Sequence, residues 1–331
     1  MKTILNDSKD PTFNLALEEY VLKELDSDED FILLWQNANS VIIGRNQNTY
    51  EEINHDVVKE HDVKVVRRIT GGGAVYHDLG NLNFSFITKS LKDNLNNYKK
   101  FTDPVIKVLN DLGVPAEFQG RNDIVVDGKK ISGNAQAWHK NKMLHHGTIL
   151  FDADLAFVTS VLNVKQDKIE SKGIKSNRAR VTNIKPFLNN EMDINQFKVN
   201  LLQALLETKD ISLTNYQLSF SDLSKIKKIQ SKKYQQWLWN YGESPKSQWI
   251  KEKRFIGGNL QLHFDLNDGF IDNLKIYGDF LGIGNHEIIS HVLNKLPYDY
   301  NSCNNELLKI DFHKIFMQIS VDDFLSCLFS S

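Results

Sequence analysis

Arg67-Arg68-Ile69-Thr70-Gly71-Gly72-Gly73-Ala74-Val75-Tyr76-His77-Asp78 is the stretch from which the rest of the chain is read. A β-branched segment, Val63 to Val66, ends in two arginines and then breaks into three consecutive glycines. Glycine loses more backbone freedom on ordering than any other residue, so a triplet is costly. It makes sense where the main chain must approach another group closely, and successive bare N–H groups form an anion-binding concavity. The planar forks of Arg67 and Arg68 suit a carboxylate or phosphate guest. Taken alone, the stretch fits a tight surface turn with solvated arginines equally well.

Outward from it, the apolar pattern alternates between helix and strand. Phe13, Leu17, Tyr20, Val21 and Leu25 recur at helical spacing over 10–25, with Pro11 early. Phe31–Trp35 and Ser40–Ile43 read as short buried strands around a turn at Asn37-Ala38-Asn39. A short helix at Val57–His61 leads into the strand ending at Arg68. In Leu82–Ile87, Asn83 and Ser85 share one face and Leu82, Phe84 and Phe86 the other. Helices are expected over Phe101–Leu112, stopped by Gly113, and over Ile194–Glu207 and Ser221–Trp239. A turn-rich join ends at Pro245. Beyond it, Asn259–Leu266 and Phe270–Tyr277 form a strand pair turning at Asn267-Asp268-Gly269, followed by short helices. The expectation is a large α/β domain over 1–245 and a small α+β domain over 246–331.

The 331 residues carry a formal charge of −2, which gives no general attraction to nucleic acid or membrane. The two cysteines, Cys303 and Cys327, make neither a disulfide framework nor a structural zinc site. Met1–Asp7 turns polar too early for a signal peptide, and Phe31–Trp35 is far too short to span a bilayer. A cytoplasmic location is expected.

Three further stretches carry chemistry. In Arg121–Asn134, Asp127-Gly128 signals a two-residue type I′ hairpin. That register pairs Val126 with Lys129, Val125 with Lys130, Ile124 with Ile131 and Asp123 with Ser132. Asp123, Lys130, Ser132 and Asn134 then share a face, away from a buried face of Ile124, Val126 and Ile131. The same face fits a solvated Asp–Lys pair of little worth. In Leu144–Phe151, His146 and Thr148 share a face, which suits polar ligand contacts or a satisfied core histidine better than a metal. The segment 168–183 carries five cations against one carboxylate. It is either a solvated face or a basic loop that closes over a polyanion.

Together these stretches resemble the lipoate–protein ligase A family. The resemblance rests on Arg-Arg-x-(Ser/Thr)-Gly-Gly-Gly-Ala-Val-(Tyr/Phe)-His-Asp-Leu-Gly-Asn at 67–81, Gly-Arg-Asn-Asp at 120–123 and Lys-(Ile/Val)-Ser-Gly at 130–133. His-His-Gly-Thr at 145–148 and Lys-Gly-Ile-x-Ser-x-Arg-(Ala/Ser)-Arg-Val-Thr-Asn at 172–183 complete it. Gly44-Arg45-x-Gln47-Asn48 and Trp239-Asn240-Tyr241-Gly242 extend it over nearly the whole chain.

The resemblance implies the biotin/lipoate ligase fold: mixed β-sheets flanked by helices, with a C-terminal accessory domain. It implies activation of lipoate with ATP and Mg²⁺ to lipoyl-AMP and pyrophosphate, then transfer to an acceptor lysine, with the protein scavenging free lipoate as a monomer. The implied acceptors are lipoyl domains of 2-oxoacid dehydrogenase complexes and the glycine cleavage H protein. Haem, flavin, NAD, structural zinc, nucleic acid and membrane are not implied. Lys130 would be catalytic, bridging acyl donor and phosphate. Arg68, Gly71, Gly72, Gly73, Ala74, Val75 and Tyr76 would form the nucleotide and lipoyl wall. His77, Asp78, Asn83, Ser132, Gly133, His146, Gly147 and Thr148 would bind substrate or nucleotide. Lys172, Arg178 and Arg180 would close over the adenylate. Asn122 and Asp123 would meet phosphate or Mg²⁺.

Two other readings remain open. A lipoyl or octanoyl transferase on the same fold would draw on a carrier protein, although neither cysteine lies in the large domain to serve a thioester route. A binding protein without turnover would show degenerate motifs. Phosphate-binding-loop and Rossmann readings fail, because neither Gly-Lys-Ser/Thr nor Gly-x-Gly-x-x-Gly is present.

Overall fold

The computed structural model describes residues 1–47, 49–89, 96–162, 181–241, 249–267 and 269–330. The basic segment 168–180 with Lys172, Arg178 and Arg180, the join at 242–245, Asn48 and Asp268 lie outside the described residues.

Ten strands precede the C-terminal unit: β1 Lys2–Thr3, β2 Phe31–Trp35, β3 Ser40–Ile43, β4 Lys64–Arg67, β5 Val75–His77, β6 Asn81–Lys89, β7 Ala116–Gln119, β8 Asp123–Val126, β9 Lys129–His139 and β10 Lys142–Leu150. Seven of them form one sheet in the order β1-β2-β6-β10-β9-β8-β7, antiparallel apart from β1 with β2. The remaining three form a small mixed sheet, β4-β3-β5. The result is the expected mixed sheets flanked by helices.

Alternation divides the large sheet into two faces. Leu82, Phe84, Phe86, Ile124, Val126 and Ile149 pack against Phe101, Val105 and Leu109 of helix Tyr98–Asp111 and Phe197 and Leu201 of helix Ile194–Leu205. On the other face, Leu33, Trp35, Ile87 and Leu144 meet Leu15, Tyr20 and Leu22 of helix Pro11–Lys23. That helix starts where Asp10 accepts from the N–H of Thr12 and Pro11 takes the first helical position. It is buried nearly all round, and Glu18 and Glu19 go under with it.

The expected single helix over 221–239 is three pieces: an α-helix Phe220–Ile229, a π turn Gln230–Tyr234 and a short helix Trp237–Asn240. Contacts with the first helix explain the break. Gln230 donates to Asp10 and Thr12, while the Lys233 ammonium and the Tyr234 hydroxyl both reach Glu19.

The C-terminal unit has a three-stranded antiparallel sheet of β11 Trp249–Phe255, β12 Gly258–Asn267 and β13 Phe270–Gly278. Four short helices cover it, and its hydrophobic core draws only on residues from this unit. Among the described residues no helix is long and apolar enough to cross a membrane.

Candidate active site

A cavity of about 140 Å³ opens between the large sheet, the small sheet and helix Pro11–Lys23. Its floor follows from strand register. Trp35 pairs with Asn83, Asn83 with Thr148, and the Gly133 N–H donates to Thr148 Oγ1 at 3.3 Å. Gly133 pairs with Asp123. One cross-strand row therefore leads from Trp35 through Asn83, Thr148 and Gly133 to Asp123 and its ion-pair partner Lys130. Leu15, Ile42 and Val75 join Trp35 as apolar lining, and Asn122 and Lys130 join the polar part.

The hairpin corrects the sequence-derived register. Asp127 and Gly128 both have positive φ, 50° and 71°, as a type I′ turn requires. Val126 pairs with Lys129 and Val125 with Lys130, but Ile124 then pairs with Ser132 and Asp123 with Gly133. Ile131 is an extra residue, a β-bulge, and it reverses the faces beyond it. Gly133, not Ser132, therefore shares the Lys130 face: a Cβ on Gly133 would lie 2.9 Å from Lys130 Nζ. Ser132 is fully buried and accepts from Asn134 Nδ2. Lys130 Nζ stands 2.7 Å from Asp123 Oδ1, close enough for an ion pair but without hydrogen-bond alignment. Beside the bulge, the Lys130 carbonyl accepts from the N–H of Thr182.

The two arginines have different fates. Arg67 is consumed by structure: its guanidinium donates to the carbonyls of Gly44, Arg45, Gln47 and Trp239 and to Thr49 Oγ1. It is not a ligand arm. Arg68 lines the cavity, yet it donates to the carbonyls of Ile42, Gly71 and Gly73, and so holds the glycine loop in shape. Burial lowers both guanidinium pKa values to about 10, which leaves them cationic at neutral pH. Gly72 needs its φ of +93°, and Gly44 has no room for a Cβ, which would fall 1.9 Å from the Gly72 carbonyl oxygen.

Below the loop lies a chain of buried polar groups. Glu18 Oε1 accepts from Ser85 Oγ at 2.7 Å and lies 2.8 Å from His146 Nδ1. His146 Nε2 lies 2.8 Å from Thr70 Oγ1, which accepts from Arg68 Nε. In the neutral ring, Nδ1–H donates to Glu18 and the Thr70 hydroxyl donates to Nε2. The neighbouring His145 faces the opposite core between Phe84 and Phe101, and burial lowers its pKa to about 3.

Of the sequence-expected residues, Arg68, Gly72, Gly73, Ala74, Val75, His77, Asn83, Asn122, Lys130, Gly133, His146, Gly147 and Thr148 line the cavity. Five described ones do not: Asp123 stands behind Lys130 as its ion-pair partner, and four do other work. Tyr76 packs on Phe157 and donates to Asn39; Asp78 accepts from the N–H groups of Gly80 and Asp154. Gly71 lies under Phe280 and Leu281 of the C-terminal unit, and Ser132 is turned into the core. Leu15, Glu18, Trp35, Ile42 and Thr70 also belong to the site, though no motif singles them out as ligands or supports. The acidic pair Glu18-Glu19 inside an otherwise apolar helix was the available signal. No three His, Cys, Asp or Glu side chains converge on a metal position among the described residues.

Sequence models of the lipoyl protein ligase A/B catalytic domain and the bacterial lipoate protein ligase C-terminus match residues 10–206 and 244–328. Lipoate-protein ligase LplJ of Bacillus subtilis is 48% identical over 321 residues, 97% of each chain. Plasmodium falciparum LipL1 in complex with lipoate is similar in structure, with a TM-score of 0.76, 28% identity and 94% of both chains covered. A lipoate-protein ligase A bound with ATP has a TM-score of 0.62 and 28% identity, covering 73% of this chain and 98% of its own.

Proposed function

The chain belongs to the lipoate–protein ligase family, and on that premise we propose that it activates lipoate with ATP, releasing pyrophosphate, and passes the lipoyl group from lipoyl-AMP to a lysine of an acceptor protein. The observation that carries this is the polarity of one continuous cavity. Apolar Leu15, Trp35 and Ile42 suit an acyl chain, while the Lys130 ammonium marks the place for carboxylate and phosphate.

Attack of the carboxylate on the α-phosphate brings two anions together and gathers charge on the phosphate oxygens. A fixed ammonium within reach of both offsets the repulsion and stabilises that charge as it develops. The bare edge of Gly133 lets Lys130 lie flat against the sheet there. Arg68 acts at one remove, through the carbonyls of the glycine loop. In the second step the acceptor amine attacks the mixed anhydride carbonyl, Lys130 stabilises the oxyanion, and its collapse expels AMP and leaves the amide once the amine has lost its proton.

Mg²⁺ fits as an ion carried by the triphosphate, since Asp123 is a single carboxylate beside Lys130, and one or two carboxylates suffice when phosphates supply other ligands. When bound, it would neutralise the triphosphate and the departing pyrophosphate. We assign Lys172, Arg178 and Arg180 to contacts with the adenylate. Lipoyl domains of 2-oxoacid dehydrogenase complexes and the glycine cleavage H protein are the proposed acceptors, in the cytoplasm. We propose a division into a catalytic domain over 1–245 and an accessory domain over 246–331.

The carrier-dependent thioester alternative lacks a nucleophile. Both cysteines are buried in the C-terminal core, and burial raises their pKa values to about 11 for Cys303 and about 12 for Cys327. Lys130→Ala is expected to lose lipoate-dependent ATP–pyrophosphate exchange by about a hundredfold or more. Normal exchange in that variant would remove the lysine from the mechanism. Intact mass of acceptor panels incubated with lipoate and Mg-ATP tests the whole reading; unchanged masses throughout would overturn it.

A further inference from the structure

His145, the first histidine of the His-His-Gly-Thr motif, is fully buried and is not among the residues that line the cavity. Its ring stacks on Phe84 and Phe101, with centroids 6.2 and 5.0 Å away. Both ring nitrogens are nevertheless occupied: Nδ1 lies 3.0 Å from Gln136 Nε2, and Nε2 lies 3.2 Å from Asn134 Oδ1. A core position among phenyl rings needs no such polar group, so the two bonds call for an explanation.

The bonds lead to the corner that holds Lys130. Asn134 Nδ2 donates at 3.0 Å to the Asn122 carbonyl, which can only accept, so the Asn134 amide has one workable orientation. Its Oδ1 then faces His145 and accepts, and the neutral imidazole carries its proton on Nε2. Nδ1 takes the hydrogen bond from Gln136 Nε2. Burial, with His146 adjacent, lowers the His145 pKa to about 3, so the ring stays neutral at ordinary pH. The Asn134 N–H also donates to the Asn122 carbonyl, and Asn122 Nδ2 donates to the Asn134 carbonyl. Three hydrogen bonds therefore clamp Asn122 just past the end of the β8–β9 ladder, where Asp123 pairs with Gly133. Asn122 lines the cavity, and Asp123 Oδ1 stands 2.7 Å from Lys130 Nζ. Gly147 makes the space for the clamping amide: a Cβ there would fall 2.2 Å from Asn134 Oδ1.

We propose that His145 is a positioning residue for the activation step: its Nε2–H sets the Asn134 amide, which holds Asn122 and so keeps Asp123 and Lys130 aligned on the substrates. The inference rests on the ligase reading above. Without that N–H the Asn134 amide is free to turn, and in the turned form its Oδ1 opposes the Asn122 carbonyl. The strand end carrying Asp123 then loses its clamp. The cost falls on the alignment of Lys130 with carboxylate and phosphate. It spares the apolar end of the cavity, where Leu15, Trp35 and Ile42 come from helix Pro11–Lys23, β2 and β3.

The test is lipoate-dependent ATP–pyrophosphate exchange in full-length protein, under conditions where denaturation curves show each variant folded. His145→Phe keeps the ring stack and removes both hydrogen bonds. It is expected to lower kcat roughly tenfold or more and to leave KM for lipoate within about twofold. Asn134→Ala should lose a similar factor, and the double variant no more than the larger single loss, because both side chains act through one contact. A normal kcat in His145→Phe, a loss confined to KM, or losses that multiply in the double variant overturns the proposal. If His145→Phe fails to fold, ¹⁵N-histidine spectra of the wild type and the Asn134→Ala kinetics decide. An Nε2–H tautomer at His145 together with the kcat loss supports the proposal; an Nδ1–H tautomer or a normal kcat overturns it. Wild type that shows no exchange overturns the ligase reading itself, whereas full activity in both wild type and His145→Phe defeats only the role of His145.

Discussion

A methyl group added at Gly133 or at Gly44 meets two different obstacles. At Gly133 it meets Lys130 Nζ and Cε at 2.9 and 3.0 Å, the far end of a flexible side chain. Gly133→Ala should therefore fold with near-normal stability but displace the ammonium, and exchange is expected to fall roughly tenfold or more. Parallel denaturation and exchange assays check both halves. At Gly44 the obstacle is the backbone of Gly72, which cannot swing away. Gly44→Ala should cost about 1–3 kcal/mol of stability, read by chemical denaturation, because overpacking forces the two loops apart. Motif spacing in the sequence identified Lys130, His146 and the glycine loop as neighbours. It misplaced Ser132 because one bulged residue, Ile131, inverts every side chain beyond it.

Among elements, the pairing of helix Pro11–Lys23 with the π turn Gln230–Tyr234 centres on Glu19. Burial would raise this carboxyl, but Lys233, Lys23 and the Tyr234 hydroxyl together hold it below its ordinary 4.5. The folded protein therefore takes up this proton less readily than the unfolded chain. The contribution to stability is complete above pH 4.5 and is lost as pH falls below that value through the folded pKa. Unfolding free energies between pH 6 and pH 3 should fall more steeply for wild type than for Glu19→Gln. The reverse order would show that the pair does not favour the ionised form. Short apolar runs with flanking turns made Phe31–Trp35 and Ser40–Ile43 legible to the residue. The π turn was not, because the helical pattern continues through it and only contacts with Glu19, Asp10 and Thr12 demand the extra residue. Strand Trp249–Phe255 also escaped notice, since its half-exposed, charged sequence lacks an apolar run.

Across the whole molecule, the C-terminal unit serves as backing for the glycine loop. The Leu281 side chain abuts Gly71 and Gly72, the Gly278 N–H donates to the Asn46 carbonyl, and Arg121 donates to the Gly257 carbonyl. Leu281→Ala should cost about 2–5 kcal/mol. It should also raise KM for the acid more than it lowers kcat, because the loop loses support on the side away from the ligand. Steady-state kinetics with a thermal melt test this; an unchanged KM would separate the C-terminal unit from the site. Local order of this protein is written in its chain: apolar period sets helix and strand, Asp127-Gly128 sets the hairpin turn, and the grouped motifs set the chemistry. These depend on neighbours a few residues apart, whose spacing is covalently given. Which groups remain free for a ligand is a matter of long-range partners. Arg67 is spent on carbonyls, and Glu18 props the loop from a distant helix through His146 and Thr70. Such assignments follow from where separate segments meet in three dimensions.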